Sequence, residues 1–257
     1  MEPHVLDLAE SLADAAGRVI RPYFRLPLTA DLKLDESPVT RADRDAEQAM
    51  RVLIARHFPE HGIMGEEFGL ENPDAAWRWV LDPIDGTRAF ITGRPLFGTL
   101  IGLLHDGVPM LGIIDQPVTG ERWTGVRGQT TRFLGPFGGV AGTRTCASLA
   151  EAELSATSPA MFGNWMDRFD GLAGQVRRVS WGGDCYGYGL LALGQIDIVA
   201  ERDMKPWDWA ALVPIVEGAG GRITDWAGQA LSFESAGDVL AVGDPALLGA
   251  AVAALAG

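Results

Sequence analysis

The segment from Trp79 to Phe90, WVLDPIDGTRAF, decides how the chain is read. Its opening WVL reads as a short buried strand, and that apolar run ends in two aspartates, Asp82 and Asp85, with Gly86 and Thr87 directly after them. Pro83 fixes φ and removes a backbone donor, which lets the Ile84 carbonyl face the same point as the two carboxylates. Three hard oxygens then converge with no His or Cys nearby, a donor set that suits Mg²⁺ or Mn²⁺ better than Zn²⁺. The Gly86-Thr87 pair opens a helix, whose free N–H groups and positive dipole end form an anion site. Metals set against a phosphate in this way are arranged for phosphoryl transfer to water.

Outward from this segment, apolar residues at Leu8, Leu12, Ala16, Val19, Ile20 and Phe24 recur at helical spacing until Pro22 and Pro27 close the pattern. A second helix is predicted in TRADRDAEQAMRVLIARHFP: Ala46, Met50, Leu53, Ile54 and His57 share a face, Thr40 or Asp43 caps the start, and Pro59 stops it. HGIMGEEFG reads as a glycine-bounded loop. Downstream, HDGVP and PVTGE read as hairpin turns between β-rich runs. A soft boundary near Pro136 to Gly142 divides the chain into an N-terminal α+β half, 1–138, and a C-terminal α/β half, 139–257. The second half reads as a helix ending near Gly194 that feeds a strand, then a helix ended by Gly220 and Gly221 with a strand after it, and a final helix capped by Asp244.

The 257 residues are 47% hydrophobic and 21% charged, the composition of an ordinary globular protein with room for a sizeable core. Lys and Arg total 21 against 34 Asp and Glu, a formal charge of -13, and no basic run tracks phosphates, which argues against nucleic acid as partner. That acidity reflects either solubility alone or acids gathered at a site. Cys146 and Cys185 have no companions at metal-ligand spacing and read as buried free thiols in a cytoplasmic protein. The acidic N-terminal stretch does not read as a signal peptide, and no apolar run has the length of a membrane span.

P-loop, nucleophile-elbow and zincin motifs are missing, and His105 before Asp106-Gly107 reads as a polar residue at a hairpin edge. What remains is carboxylate chemistry: Asp43, Glu66 and Glu67 in GEEFG, Asp82, Asp85, and Asp208 in KPWDW. Each has a plainer reading when taken alone. Asp43 and Asp208 are candidate N-caps, the glutamates candidate loop charges, and Asp85 a candidate cap for the helix starting at Thr87.

GEEFG, DPIDGTRAF and PWDWAALVPIVEGAGG, with PVTRAD before them, resemble in order and spacing the signatures of the inositol monophosphatase family of Mg²⁺-dependent sugar phosphatases. The resemblance covers most of the chain. It implies an α+β fold, a layered α/β/α/β sandwich, commonly homodimeric, acting on a small phosphorylated metabolite with two or three Mg²⁺ ions, Mn²⁺ being a possible substitute. Glu66, Asp82, Asp85 and Asp208 would be metal ligands through side chains, and Ile84 through its carbonyl. Thr87, held by Asp43, would orient and help deprotonate the attacking water, with Glu66 on the same water network. Asp85, Gly86 and Thr87 would meet the phosphate, Glu201 the amine or polyol end of the substrate, and Glu67 would support the ligands from behind.

Inositol phosphatases usually read DGTTNF and place small residues where this chain has Asp184. DGTRAFITGRPLFGTLIGL and WGGDCYGYGLLALG resemble the histidinol-phosphatase branch instead. An acidic pocket at Asp184 and Glu201 would attract the cationic amine of L-histidinol phosphate, although Asp184 also reads as a cap for the helix near Tyr186. The expected reaction is therefore hydrolysis of that ester in histidine biosynthesis. The alternatives are an inositol-1-phosphate phosphatase, a 3′(2′),5′-bisphosphate nucleotidase, or a non-catalytic binder of phosphometabolites. Arg88 could meet the phosphate, but a surface ion pair is the expected role.

Overall fold

The computed structural model describes residues 3–26 and 38–256, the side chains of 3 and 38–40 excepted; Pro27, the Thr40 side chain and Gly257 lie outside that description. Two helices come first, α1 (Pro3–Ile20) and α2 (Pro38–His57). On α1 the predicted stripe is real: Leu12, Ala16 and Ile20 are fully buried. On α2 Ala46, Met50 and Ile54 are fully buried, whereas Leu53 is half-buried and His57 exposed, because the buried stripe advances by four residues and leaves His57 beyond its edge. Since α2 starts at Pro38, Asp43 is an interior helical residue and not an N-cap.

Seven strands follow: β1 (Gly62–Gly65), β2 (Gly69–Glu71), β3 (Trp77–Asp85), β4 (Gly98–His105), β5 (Val108–Gln116), β6 (Glu121–Val126) and β7 (Arg132–Leu134), with the short α3 (Thr87–Ile91) between β3 and β4. They form one sheet in the order β2-β1-β3-β4-β5-β6-β7, in which only β1 and β3 are parallel. The expected loop HGIMGEEFG is thus half strand. Its Gly62–Gly65 part pairs with Arg78 to Leu81, because Ile63 is apolar enough to be buried on the sheet. Both predicted hairpin turns join the strands expected of them.

The remaining elements are β8 (Glu153–Ala156), α4 (Met166–Ala173), β9 (Arg178–Trp181), α5 (Asp184–Ala192), β10 (Ile198–Glu201), α6 (Pro206–Trp209), α7 (Leu212–Gly218), β11 (Arg222–Thr224), β12 (Val239–Val242) and α8 (Leu248–Ala256). The strands make a second sheet, β11-β12-β10-β8-β9, with β8, β9 and β10 parallel. Asp244 caps the last helical segment, accepting from the Ala246 N–H at 2.9 Å.

Three apolar cores separate these layers. Trp79, Leu81, Ile101 and Leu103 pack on α1 and α2, while Val80, Leu100 and Ile114 from the opposite face of the same sheet pack on α5, α6 and α7. Burial on both faces explains the continuous apolar run from Trp79 to Leu81 within β3. Each such side chain contributes about 1.5–3 kcal/mol. The second sheet sends Val199 and Ala241 into the middle core, and Leu154, Ile198 and Leu240 into a third core against α4 and α8. The result is the expected α+β sandwich, with α4 and α8 adding an outer layer.

Candidate active site

In a regular strand residues three apart point to opposite faces. Asp82 and Asp85 escape that rule because β3 is irregular between them: Asp82 pairs with Leu100 and Asp85 with Gly98, so three steps on β3 oppose two on β4. One extra residue restores both carboxylates to a single face. The kink is pinned on each side. Ile84 N–H donates to Asp82 Oδ1 at 3.0 Å, and the buried Thr99 hydroxyl donates to the Pro83 carbonyl at 2.7 Å.

Asp208 joins these two from another layer. One oxygen from each of Asp82, Asp85 and Asp208 lies within 4.8 Å of the others. Asp208 sits in the first turn of α6, where its Oδ2 accepts from Lys205 N–H at 2.7 Å, a helix-terminus bond that leaves its other oxygen free. Glu66 completes the group, near enough for its charge to push the Asp82 carboxyl upward. Its loop is held by Glu47, fully buried on α2, which accepts from Glu67 N–H at 2.8 Å, Phe68 N–H at 3.2 Å and Arg51 Nε at 2.8 Å.

Asp85 does not cap α3. The N-cap there is Gly86, with φ of 91° and no side-chain bond, and Asp85 Oδ2 instead accepts from Cys185 N–H at 2.6 Å. A side chain at Gly86 would meet Asp184 Cβ and Phe97 Cα, both at 3.1 Å. Thr87 Oγ1 donates to the Ile84 carbonyl at 3.3 Å, where a bond to Asp43 was expected. Asp43 lies 5% exposed with its Oδ1 unpartnered, because its place inside α2 aims it at Glu66 and Glu67.

A cavity of ≈ 540 Å³ opens above these groups, lined by Glu66, Asp85, Gly86, Thr87 and Asp208 and also by Asp184 and Glu201, with Asp184 set against Gly86. Asp184 is the first residue of α5, with φ of 43°, and gives that helix no cap bond. Arg88 also lines this cavity; it is exposed, as a surface role requires, but makes no ion pair among the described residues, and its charge acts on Asp184.

Burial pushes every one of these acids upward, and repulsion within the group adds to it at Asp82 and Asp85. Burial, then Asp85 and Glu66, hold the Asp82 carboxyl well above the usual range; burial, then Asp184 and Asp208, do the same to Asp85. Burial raises Asp208 to about 6, Asp184 to about 6 and Glu201 to about 7, and burial with Glu67 raises Asp43 to about 9. An all-oxygen cluster this short of positive charge, with an orphaned buried oxygen beside it, fits divalent hard cations.

Sequence reasoning missed Thr157, Tyr188, Glu47 and Thr99. Glu47 alone left a signal, an acid one helical turn before Arg51 beside the apolar stripe of α2. The cysteines are buried and free, and among the described residues no helix is long and apolar enough to cross a membrane.

The model of the inositol monophosphatase family matches residues 1–256. The chain is 46% identical over 237 residues to the bifunctional phosphatase IMPL2 of Arabidopsis thaliana, covering 91% of this chain and 68% of that one. It is 40% identical to the histidinol-phosphatase of Mycobacterium tuberculosis, over 88% of both chains. The solved structure of an inositol monophosphatase from Zymomonas mobilis superposes with a TM-score of 0.92 at 51% identity, over 100% of both chains.

Proposed function

This chain belongs to the inositol monophosphatase family, a metal-dependent phosphatase family, and we propose that it hydrolyses L-histidinol phosphate to L-histidinol and phosphate in histidine biosynthesis. One observation carries the substrate assignment: besides the Asp82 cluster the cavity is lined by two more acids, Asp184 and Glu201, where a ring of hydroxyls would need no charge. A primary ammonium there makes charge-assisted hydrogen bonds. The likeness to the Mycobacterium tuberculosis histidinol-phosphatase supports the same reading.

Glu66, Asp82, Asp85 and Asp208, with the Ile84 carbonyl, would hold two or three Mg²⁺ ions. When bound, Mg²⁺ would polarise the phosphate and activate the attacking water. The chain's own residues do the positioning. Gly86 and Thr87 present N–H groups at the start of α3, where a phosphate oxygen would sit. Because the Thr87 hydroxyl proton is directed to the Ile84 carbonyl, its oxygen lone pairs are left to accept from the attacking water. Glu66 borders the same space, and Asp43, raised to about 9 and so protonated near neutral pH, lies beside it.

The test is steady-state kinetics with Mg²⁺ on histidinol phosphate, inositol 1-phosphate and adenosine 3′,5′-bisphosphate. Histidinol phosphate is expected to give the highest kcat/KM. The second reading, an inositol-1-phosphate phosphatase, is favoured by the likeness to the Zymomonas mobilis structure, and a higher kcat/KM for inositol 1-phosphate would establish it.

A further inference from the structure

β8 and β10 run parallel, with Ile198 opposite Leu154 and Val199 opposite Ser155. Carried two residues further, that register sets Glu201, the last residue of β10, against Thr157, one residue beyond the end of β8. Both side chains lie at the carboxyl ends of adjacent parallel strands, where open α/β sheets place their ligands. The Thr157 hydroxyl donates to Glu201 Oε1, and the same oxygen accepts from Asp184 N–H at 3.0 Å.

Glu201 is 4% exposed, and its second oxygen is also occupied, accepting from the buried Tyr188 hydroxyl at 3.3 Å. Its carboxylate therefore cannot rotate without losing a bond. Asp184 is constrained differently. Its backbone takes a left-handed φ of 43°, rare for a residue with a side chain, and the Thr157 oxygen is the acceptor that holds its N–H there. One hydroxyl thus fixes both acids lining this cavity.

Resting on the histidinol phosphate reading, we propose that Thr157 is the positioning residue for substrate selection: it aims Glu201 and Asp184 together at one cationic group of the ester, and takes no part in attack on the phosphate. A hydroxyl is required by the geometry because the bridging atom must donate on one side and accept on the other, which an alkyl or carboxylate group does not.

The experiment compares wild type, Thr157→Val and Thr157→Ser, each Mg²⁺-loaded, on histidinol phosphate and on 4-nitrophenyl phosphate, which has no amine. Thr157→Val should raise KM for histidinol phosphate about tenfold or more, the scale of one hydrogen bond to a charged group, with kcat changed by less than about twofold. Its kinetics on 4-nitrophenyl phosphate should match wild type, and Thr157→Ser should restore KM. Should the valine variant fail to fold, Thr157→Ala carries the same expectation. Equal losses on both esters, or no rescue by serine, would overturn the assignment. If wild type shows no preference for histidinol phosphate over 4-nitrophenyl phosphate, the substrate reading fails first and the assignment falls with it. If wild type shows that preference and Thr157→Val retains it in full, only the Thr157 assignment fails.

Discussion

Asp85 Oδ2 accepts a 2.6 Å hydrogen bond from the backbone N–H of Cys185, 100 residues further along the chain. Asp85 closes β3 in the first sheet, and Cys185 lies in the first turn of α5, between the two sheets. One carboxylate therefore fixes the distance between the phosphate end of the cavity and Asp184, the neighbour of Cys185. It serves the fold through one oxygen and adds its charge to the acidic cluster with Asp82 and Asp208.

These two roles separate by substitution. Asp85→Asn keeps an acceptor for Cys185 and removes the charge; Asp85→Ala removes both. Both variants should lose nearly all Mg²⁺-dependent turnover. Only the alanine should unfold more readily, by about 1–3 kcal/mol for the orphaned N–H. Calorimetric titration with Mg²⁺ and thermal unfolding read the two effects independently, and near wild-type turnover by Asp85→Asn would remove this carboxylate from the metal site.

Metal binding should also show in stability. Acids whose folded pKa values lie above the unfolded ones bind protons more tightly when folded, so their contribution is full at low pH and is lost as pH rises through the folded values. For Asp184 and Asp208 that window runs from about 4 to about 6, and for Asp43 to about 9. The EDTA-treated protein should therefore lose stability between pH 4 and 9. Mg²⁺ should restore it, by about 2.7 kcal/mol at a hundredfold excess over Kd, with a larger rise in Tm at the alkaline end. A Tm shift independent of pH would contradict a site assembled from repelling acids.

A third prediction concerns the loop that carries Glu66. A Cβ on Gly65 would lie 2.0 Å from Glu47 Oε1, inside any allowed contact, and Glu47 is fully buried with its oxygens bonded to Arg51, Glu67 and Phe68. Gly65→Ala must push Glu47 off these donors. A loss of about 1–3 kcal/mol is expected, together with a fall in kcat, since Glu66 moves with the loop. Urea unfolding and turnover at saturating substrate check both; an unaltered kcat would mean that Glu66 is placed by something other than Glu47.

DPIDGT was legible because it concentrates chemistry in consecutive residues. The bulge that brings Asp82 and Asp85 onto one face was not, because register is a property of the pair, set here by where Leu100 and Gly98 of β4 fall. Thr157 was invisible for a related reason. A threonine after a strand has no pattern of its own, and its importance arises only where β8 lies beside β10. Asp43 was misread as a cap because Pro38, which also opens helices well, lay one turn earlier. The helices, hairpins and apolar faces were readable from periodicity, since burial on sheets and helices repeats along the chain.

Asp184 offers the sharpest separation of charge from shape in the cavity. Asparagine tolerates a left-handed backbone, so Asp184→Asn keeps the φ of 43° and the N–H bond to Thr157 while removing the charge. Asp184→Gly also removes the side chain beside Gly86 and relieves the backbone cost of about 1 kcal/mol, which should make it the more stable of the two. If charge selects the substrate, both variants should lose kcat/KM for histidinol phosphate by about tenfold, a scale consistent with a charged hydrogen bond, and change little on inositol 1-phosphate. If shape selects it, only glycine should alter the ratio, by admitting the bulkier ring. Measuring that ratio for the two variants distinguishes an electrostatic pocket from a steric one.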